Sequence, residues 1–265
     1  MQVPPFLDLT GRVAIVTGAG SPTGIGYAAA RHLGMLGAAV VVGATTERAH
    51  ERAAELGAEG IAAQGFVGDL TDPVVAEELA RQARSSHGRI DVVVNNAGMV
   101  STSDPDYLEG DLLATTPQRW SDSLRRNLDT AYLVTRAALP HLRESGHGRV
   151  ITVASVTGAA MAMRGEVAYA AAKAALVGLT RALAVDEARH GITANAVAPG
   201  WIATASQTEH EVAEGLITPV GRSGTADEVA STIAWLATTG AGYVNGQMVV
   251  VDGGNGVAEE RALPR

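Results

Sequence analysis

Short runs of Val, Ile and Ala recur along the chain between longer stretches of helical length whose polar and apolar residues segregate to opposite faces. The runs are RVAIVTG, AAVVVGA, GIAAQGFVGDL, IDVVVNNAG, GRVITVAS, GITANAVAPG and GQMVVVDGG. Their apolar residues are continuous rather than alternating, the pattern of strands covered on both faces, and the stretches between them supply the covering helices. The reading is an α/β, doubly wound fold with a seven-stranded, mostly parallel sheet. No linker rich in Pro, Gly or Ser divides the chain and no fixed-period repeat occurs, so residues 1–265 read as one domain. Two polar, turn-rich stretches, 99–117 and 201–224, follow strands at the ends where such a sheet opens its ligand crevice, and read as functional loops.

Composition narrows the function. Hydrophobic residues make up 46% and charged residues 18% of the chain, enough apolar surface for a sizeable core. The 20 basic and 28 acidic residues give a formal net charge of −8 without a basic block, which argues against nucleic acid as a partner. Cysteine is absent, which excludes disulfides, thiolate metal ligands and a cysteine nucleophile. His32, His87, His141, His147, His190 and His210 are scattered at surface-like, polar positions without zinc-ligand spacing, so no metal site is read. MQVPPFLDLTGR lacks a basic region followed by an apolar core, and no apolar stretch is read as reaching the roughly 18 residues that span a bilayer. No membrane association and a cytoplasmic location are the expectations.

RVAIVTG runs into AGSPTGIGYAAARHLG, where Gly20, Gly24 and Gly26 precede a helix of small residues. Glycine permits a tight turn and close approach to a pyrophosphate, while the helix start offers free amides and its positive dipole end to that anion. In dinucleotide folds the end of the second strand meets the adenine ribose: an acid there binds free hydroxyls, and a neutral or basic site admits an extra phosphate. Here VVVGA is followed by Thr45, Thr46 and Arg48, two hydroxyls and a cation, which favours NADP(H). Glu47 folding back onto the ribose keeps NAD(H) as the alternative, and a plain helix N-cap is the structural reading of the two threonines.

VAYAAAKAALVGL carries one phenol, Tyr169, and one ammonium, Lys173, four positions apart and so on one helix face. A free tyrosine, with a pKa of about 10, is a sluggish proton donor; an adjacent cation stabilises the phenolate and brings that value toward the useful range. Ser155, ending GRVITVAS, is placed to donate to a developing oxyanion.

Glycine turn, NNAG, strand-end serine, YxxxK and Pro199-Gly200, in that order, resemble the short-chain dehydrogenase/reductase family from about residue 9 to 254. That family's first turn reads TGxxxGxG. Here Thr17-Gly18 stands two residues further from Gly24-Ile25-Gly26, while Gly20-xxx-Gly24-x-Gly26 keeps the glycine spacing, as a two-residue insertion would produce. The resemblance implies that Gly18, Gly20, Thr23, Gly24, Ile25 and Gly26 form the cofactor turn, although Thr23 stands where many NADPH-dependent relatives have arginine. Relatives with an Ala-Thr pair after the second strand use NADPH. By the same resemblance Asp69 and Leu70 contact adenine, Asn96, Ala97 and Gly98 pass beside the cofactor, and Ile202 and Thr204, after Pro199-Gly200, meet its carboxamide or pyrophosphate. Tyr169 transfers the proton, Lys173 also holds the nicotinamide ribose, Ser155 orients the substrate, and Asn127 anchors a water next to Lys173.

The implied activity is NADPH-dependent reduction of a ketone, 3-oxoacyl or other carbonyl, to a secondary alcohol, by a homotetramer. An NAD-dependent secondary-alcohol or sugar dehydrogenase is the alternative within the family; a non-catalytic dinucleotide-binding sensor or scaffold is the alternative outside it. Retention of both Tyr169 and Lys173 favours an enzyme. The Ser155–Tyr169 spacing is one residue longer than in several relatives, so MAMRGEVA reads as a longer loop bordering the substrate. Ser101, Val156, Met161, Met163, Arg164, Trp201 and residues 206–217 are the candidate pocket walls. Glu209, Glu211 and Glu214 make one wall acidic, which does not favour a phosphopantetheine arm.

Overall fold

A computed structural model describes residues 3–98 and 110–259. Ser101 and most of the first functional loop lie outside the described residues. Strands β1 (Val13–Val16), β2 (Ala39–Ala44), β3 (Ala63–Val67), β4 (Val92–Asn95), β5 (Arg149–Val153), β6 (Thr193–Pro199), β7 (Ile202–Ala203), β8 (Gly224–Thr225) and β9 (Met248–Val251) are connected mainly through helices. The helices are α1 (Ile25–Met35), α2 (Arg48–Ala58), α3 (Pro73–His87), α4 (Pro117–Leu124), α5 (Thr130–Ser145), α6 (Val156–Ala159), α7 (Val167–Glu187), α8 (Glu209–Leu216) and α9 (Ala226–Leu236). Seven strands form one parallel sheet in the order β3-β2-β1-β4-β5-β6-β9, and β7 pairs with β8.

The continuous apolar runs have a direct cause. Val16, Val40, Val42, Val92 and Val94 point into one core with Leu33 of α1 and Ile233 of α9. Ile15, Val41, Val93 and Val150 point into the other, against Leu79 of α3 and Leu142 of α5. Neither face of the central strands meets water, so aliphatic residues dominate both; each such side chain stabilises the fold by roughly 1.5–3 kcal/mol on burial. Strand order reverses between β1 and β4, which opens a crevice beyond their carboxyl ends.

Three expectations change. Residues 201–224 are more than a loop: they hold β7, β8 and α8, whose start is fixed by a capping box between Thr208 and Glu211. Residues 167–190, α7 with the turn that follows it, are by length and composition apolar enough to cross a membrane. In the fold this helix packs on β6, with Lys173 buried and Glu187 bonded to Arg143 Nε at 2.7 Å. His147 is not at the surface. It is 5% exposed, its Nε2 lies 3.0 Å from the Ala237 carbonyl, and burial, reinforced by the nearby Arg149 cation, pushes its pKa down to about 4.

Candidate active site

Thr17, at the end of β1, is buried and fastens the two central strands: its Oγ1 accepts from the backbone N–H groups of Asn96 (3.1 Å) and Ala97 (3.0 Å). Asn96 Nδ2 donates to the carbonyls of Thr17 (3.1 Å) and Gly18 (3.0 Å), so NNAG clamps the glycine turn. Glycine is required at Gly18, where φ is +66° and an added Cβ would lie 2.8 Å from Ala97 backbone atoms. At Gly26 a Cβ would approach Asn96 Nδ2 to 2.5 Å.

Helix α1 begins at Ile25 with Gly24 as N-cap; no side chain caps it and no acid occupies its first turn. Its leading amides are therefore free of side-chain acceptors, as an anion site requires. Residues 21–24 form a β-turn in which the Ser21 carbonyl accepts from Gly24 N–H (3.1 Å) around Pro22 and Thr23. Thr23 Oγ1 accepts from Ala205 N–H at 3.1 Å, tying this turn to the segment after β7. Through that bond Thr23 reaches the opposite wall.

Thr45, Thr46 and Arg48 are exposed at the end of β2. Neither threonine caps α2, whose N-cap is Glu47 without a side-chain bond. Instead Arg48 Nε donates to Thr46 Oγ1 (3.1 Å), with the Arg48 side chain beside Gly20. Arg52, one turn on, escaped the sequence reading: it is buried, donates from Nη1 to the Gly20 carbonyl (3.3 Å) and bonds Glu55 Oε1 at 2.5 Å. Its spacing from Arg48 was the only available signal. Asp69 accepts from the N–H (3.0 Å) and hydroxyl (2.8 Å) of Thr71, and the backbone bond leads in holding its carboxyl below the usual range. Leu70 packs into the core with Ile15 and Val41, so its side chain is not available to the crevice.

Ser155 ends the segment after β5 in extended conformation and caps α6, its Oγ accepting from Thr157 N–H at 3.1 Å. The following turn fits α7 only through Gly158: at φ +88° a Cβ there would lie 2.0 Å from the Ala170 carbonyl. Ser155 stands close enough to Tyr169 for its hydroxyl to act on the phenol. Lys173 is 2% exposed, donates from Nζ to the Val153 carbonyl (3.1 Å) and lies 5.5 Å from the Tyr169 ring centroid. Asn127 sits in a π turn (Arg125–Asp129) packed against α7, a helix irregularity of a kind frequent at functional sites. Its Nδ2 donates to the Ser123 carbonyl (3.1 Å), its Oδ1 is buried without a protein partner, and Gly98 packs directly on it.

The structure joins Ser155, Tyr169 and Lys173 as the spacing predicts but corrects their electrostatics. Burial pushes the Tyr169 phenol up to about 12; the neighbouring Ser155 hydroxyl opposes this, and the carboxylates of Glu166 and Glu211 add to it. Burial also pushes Lys173 down to about 8. Removing both groups from water outweighs the help that an ammonium above the ring, rather than at its oxygen, gives the phenolate. On the far wall Gly200 N–H donates to the Val251 carbonyl (2.9 Å), and Thr204 Oγ1 lies 2.9 Å from Ser206 Oγ, with Ile202 in β7. Among the described residues no cluster of His, Asp or Glu could hold a metal ion.

A family model described as enoyl-(acyl carrier protein) reductase matches residues 18–255. The chain is 39% identical over 254 residues to the 3-oxoacyl-(acyl-carrier-protein) reductase FabG of Pseudomonas aeruginosa, covering 94% of this chain and 98% of that protein. It is 36% identical over 253 residues to FabG of Escherichia coli (strain K12), with the same coverage. A crystal structure of a dehydrogenase/reductase from Sinorhizobium meliloti 1021 superposes with a TM-score of 0.86 at 31% identity, over 96% of this chain and 98% of that one. With its seven-stranded parallel sheet, the chain is an oxidoreductase that belongs to the short-chain dehydrogenase/reductase family.

Proposed function

We propose that this protein reduces a ketone to a secondary alcohol with NADPH, Tyr169 serving as general acid. The observation that carries the reading is the convergence of Ser155, Tyr169 and Lys173 at one end of α7, beside the crevice of the switch point. The crevice fits a dinucleotide: its glycines leave room that a Cβ would fill, and the start of α1 has free amides and no acid. Gly18, Gly20, Gly24, Ile25 and Gly26 would hold the diphosphate, and Thr45, Thr46 and Arg48 an adenosine phosphate. Asp69, Asn96, Ala97, Gly98, Pro199, Gly200, Ile202 and Thr204 would line the remainder. The bound nicotinamide supplies a hydride.

The chain's own residues manage the oxygen. Ser155 Oγ donates to the substrate carbonyl, raising its electrophilicity. Tyr169 Oη gives its proton to that oxygen as negative charge develops; burial keeps the phenol protonated throughout the neutral range, so the proton is in place to be given. Lys173, brought to about 8, is acidic enough to return a proton to the phenolate near neutral pH. The free Oδ1 of Asn127 offers an acceptor for a water in that path.

The substrate is a small carbonyl compound, and the cellular setting is cytoplasmic. A homotetramer is supported by apolar side chains left exposed on three elements: Trp120 on α4, Val185 on α7 and Val250 on the edge strand β9. The test is a panel of ketones, 3-oxoacyl thioesters and an α,β-unsaturated thioester, followed at 340 nm with NADPH and with NADH. Ketone turnover favouring NADPH supports the reading. Turnover confined to the unsaturated compound, or equal rates with both cofactors, contradicts it.

A further inference from the structure

We infer that Arg52 is a positioning residue for the cofactor: from behind the glycine turn its guanidinium holds the Gly20 carbonyl, so that the turn offers amides rather than carbonyl oxygens to a diphosphate. The inference rests on the dinucleotide reading of the crevice and deepens it. Arg52 sits on α2 and is only 8% exposed although it carries a full charge. Its guanidinium carbon lies 5.8 Å from the centroid of the Tyr27 ring, in the first turn of α1. Nη2 donates to Glu55 Oε1 at 2.5 Å, and Nη1 donates to the Gly20 carbonyl at 3.3 Å. One planar group thus ties together α2, the start of α1 and the turn between β1 and α1.

Carbonyls on either side of Gly20 are held as well. Asn96 Nδ2 donates to those of Thr17 and Gly18 and Gly24 N–H to that of Ser21, while Ala19 N–H anchors the turn to the Gly43 carbonyl of β2 (3.0 Å). Among the described residues Arg52 is the one cation bonded to this stretch of backbone. A carbonyl turned the other way would set partial negative charge against a diphosphate, whereas amides left facing the crevice form an anion-binding hollow. The burial of Arg52 is costly: its Nε has no hydrogen-bond partner among the described residues, and an apolar side chain of similar length would fill the space without that penalty. What the guanidinium adds is the grip on Gly20. Arg48, one turn earlier on the same helix face, lies exposed beside Gly20, in reach of an adenosine phosphate; Arg52, buried, acts on a ligand only through the turn.

Fluorescence titration with NADPH and with NADH reads this role directly, because it needs no ketone. Arg52→Met, which keeps the stem against Tyr27 and removes the donors, should weaken both cofactors by the same factor, about ten-fold, with kcat at saturating cofactor unchanged. In competition against NADPH, adenosine 5′-diphosphate should lose affinity alongside them, and adenosine 2′-phosphate, which has no diphosphate, should not. Arg52→Lys keeps the charge that pairs with Glu55, so it reports even where Arg52→Met fails to fold. Its single nitrogen cannot hold Glu55 and Gly20 together, and about three-fold weakening is expected. A purely structural role would lower the melting temperature and leave the Kd values of the folded protein in place. Unchanged Kd values in a folded variant, weakening of NADPH alone, or equal weakening of adenosine 2′-phosphate overturns the inference. Wild type that binds neither cofactor is a different result: it removes the dinucleotide reading and this role with it.

Discussion

Lys173 lies one turn beyond Tyr169 on α7, its ammonium 5.5 Å from the ring centroid and bonded to the Val153 carbonyl. In the proposed reaction the pair serves as a relay, with a cation of pKa about 8 behind a phenol of pKa about 12. Ketone reduction needs both protons in place, so kcat should fall as pH rises through about 8. Lys173→Met should lower kcat by roughly 10²–10³-fold. A pH profile of kcat in wild type and variant checks both.

Cofactor choice is predicted to reside in Arg48, bonded to Thr46 beside Gly20. Arg48→Ala should raise KM for NADPH about ten-fold through loss of a charge-assisted contact and leave KM for NADH nearly unchanged. Steady-state kinetics with both cofactors measure the ratio.

Gly158 admits no side chain. With φ at +88° and the Ala170 carbonyl 2.0 Å from where a Cβ would stand, Gly158→Ala must displace either the Ser155 turn or the start of α7. A stability loss of about 2–4 kcal/mol in urea unfolding, with loss of turnover in whatever remains folded, is expected.

The seven strands and the Ser155, Tyr169, Lys173 grouping were legible because each leaves a local mark: an unbroken apolar run, or a four-residue spacing on a helix. What sequence could not supply depends on packing across long separations. Arg52 reaching Gly20, Thr23 reaching Ala205 and the burial of His147 all join residues far apart in the chain, and no periodicity announces them. The direction of the Tyr169 shift was misjudged for the same reason. Spacing reveals the ammonium neighbour, but the desolvation that dominates comes from the walls around it. The capping box that starts α8, by contrast, stood in the sequence as Thr208-xx-Glu211 and was readable.

Acid stability offers a test of His147. Its pKa falls from about 6.5 unfolded to about 4 folded, so between those values the unfolded chain binds more protons and stability drops as pH falls. The full loss is roughly 3 kcal/mol, complete near pH 4. His147→Gln, which keeps a side-chain donor for the Ala237 carbonyl, should flatten this part of the curve. Denaturant melts of both proteins from pH 7 to 4 compare the slopes.

The role given to the Tyr169 phenol is tested most directly by removing one oxygen atom. Tyr169→Phe should retain NADPH binding, measured by fluorescence titration, while ketone reduction at 340 nm falls by at least about 10³-fold. Turnover within a few-fold of wild type in a variant that still binds NADPH would contradict the account.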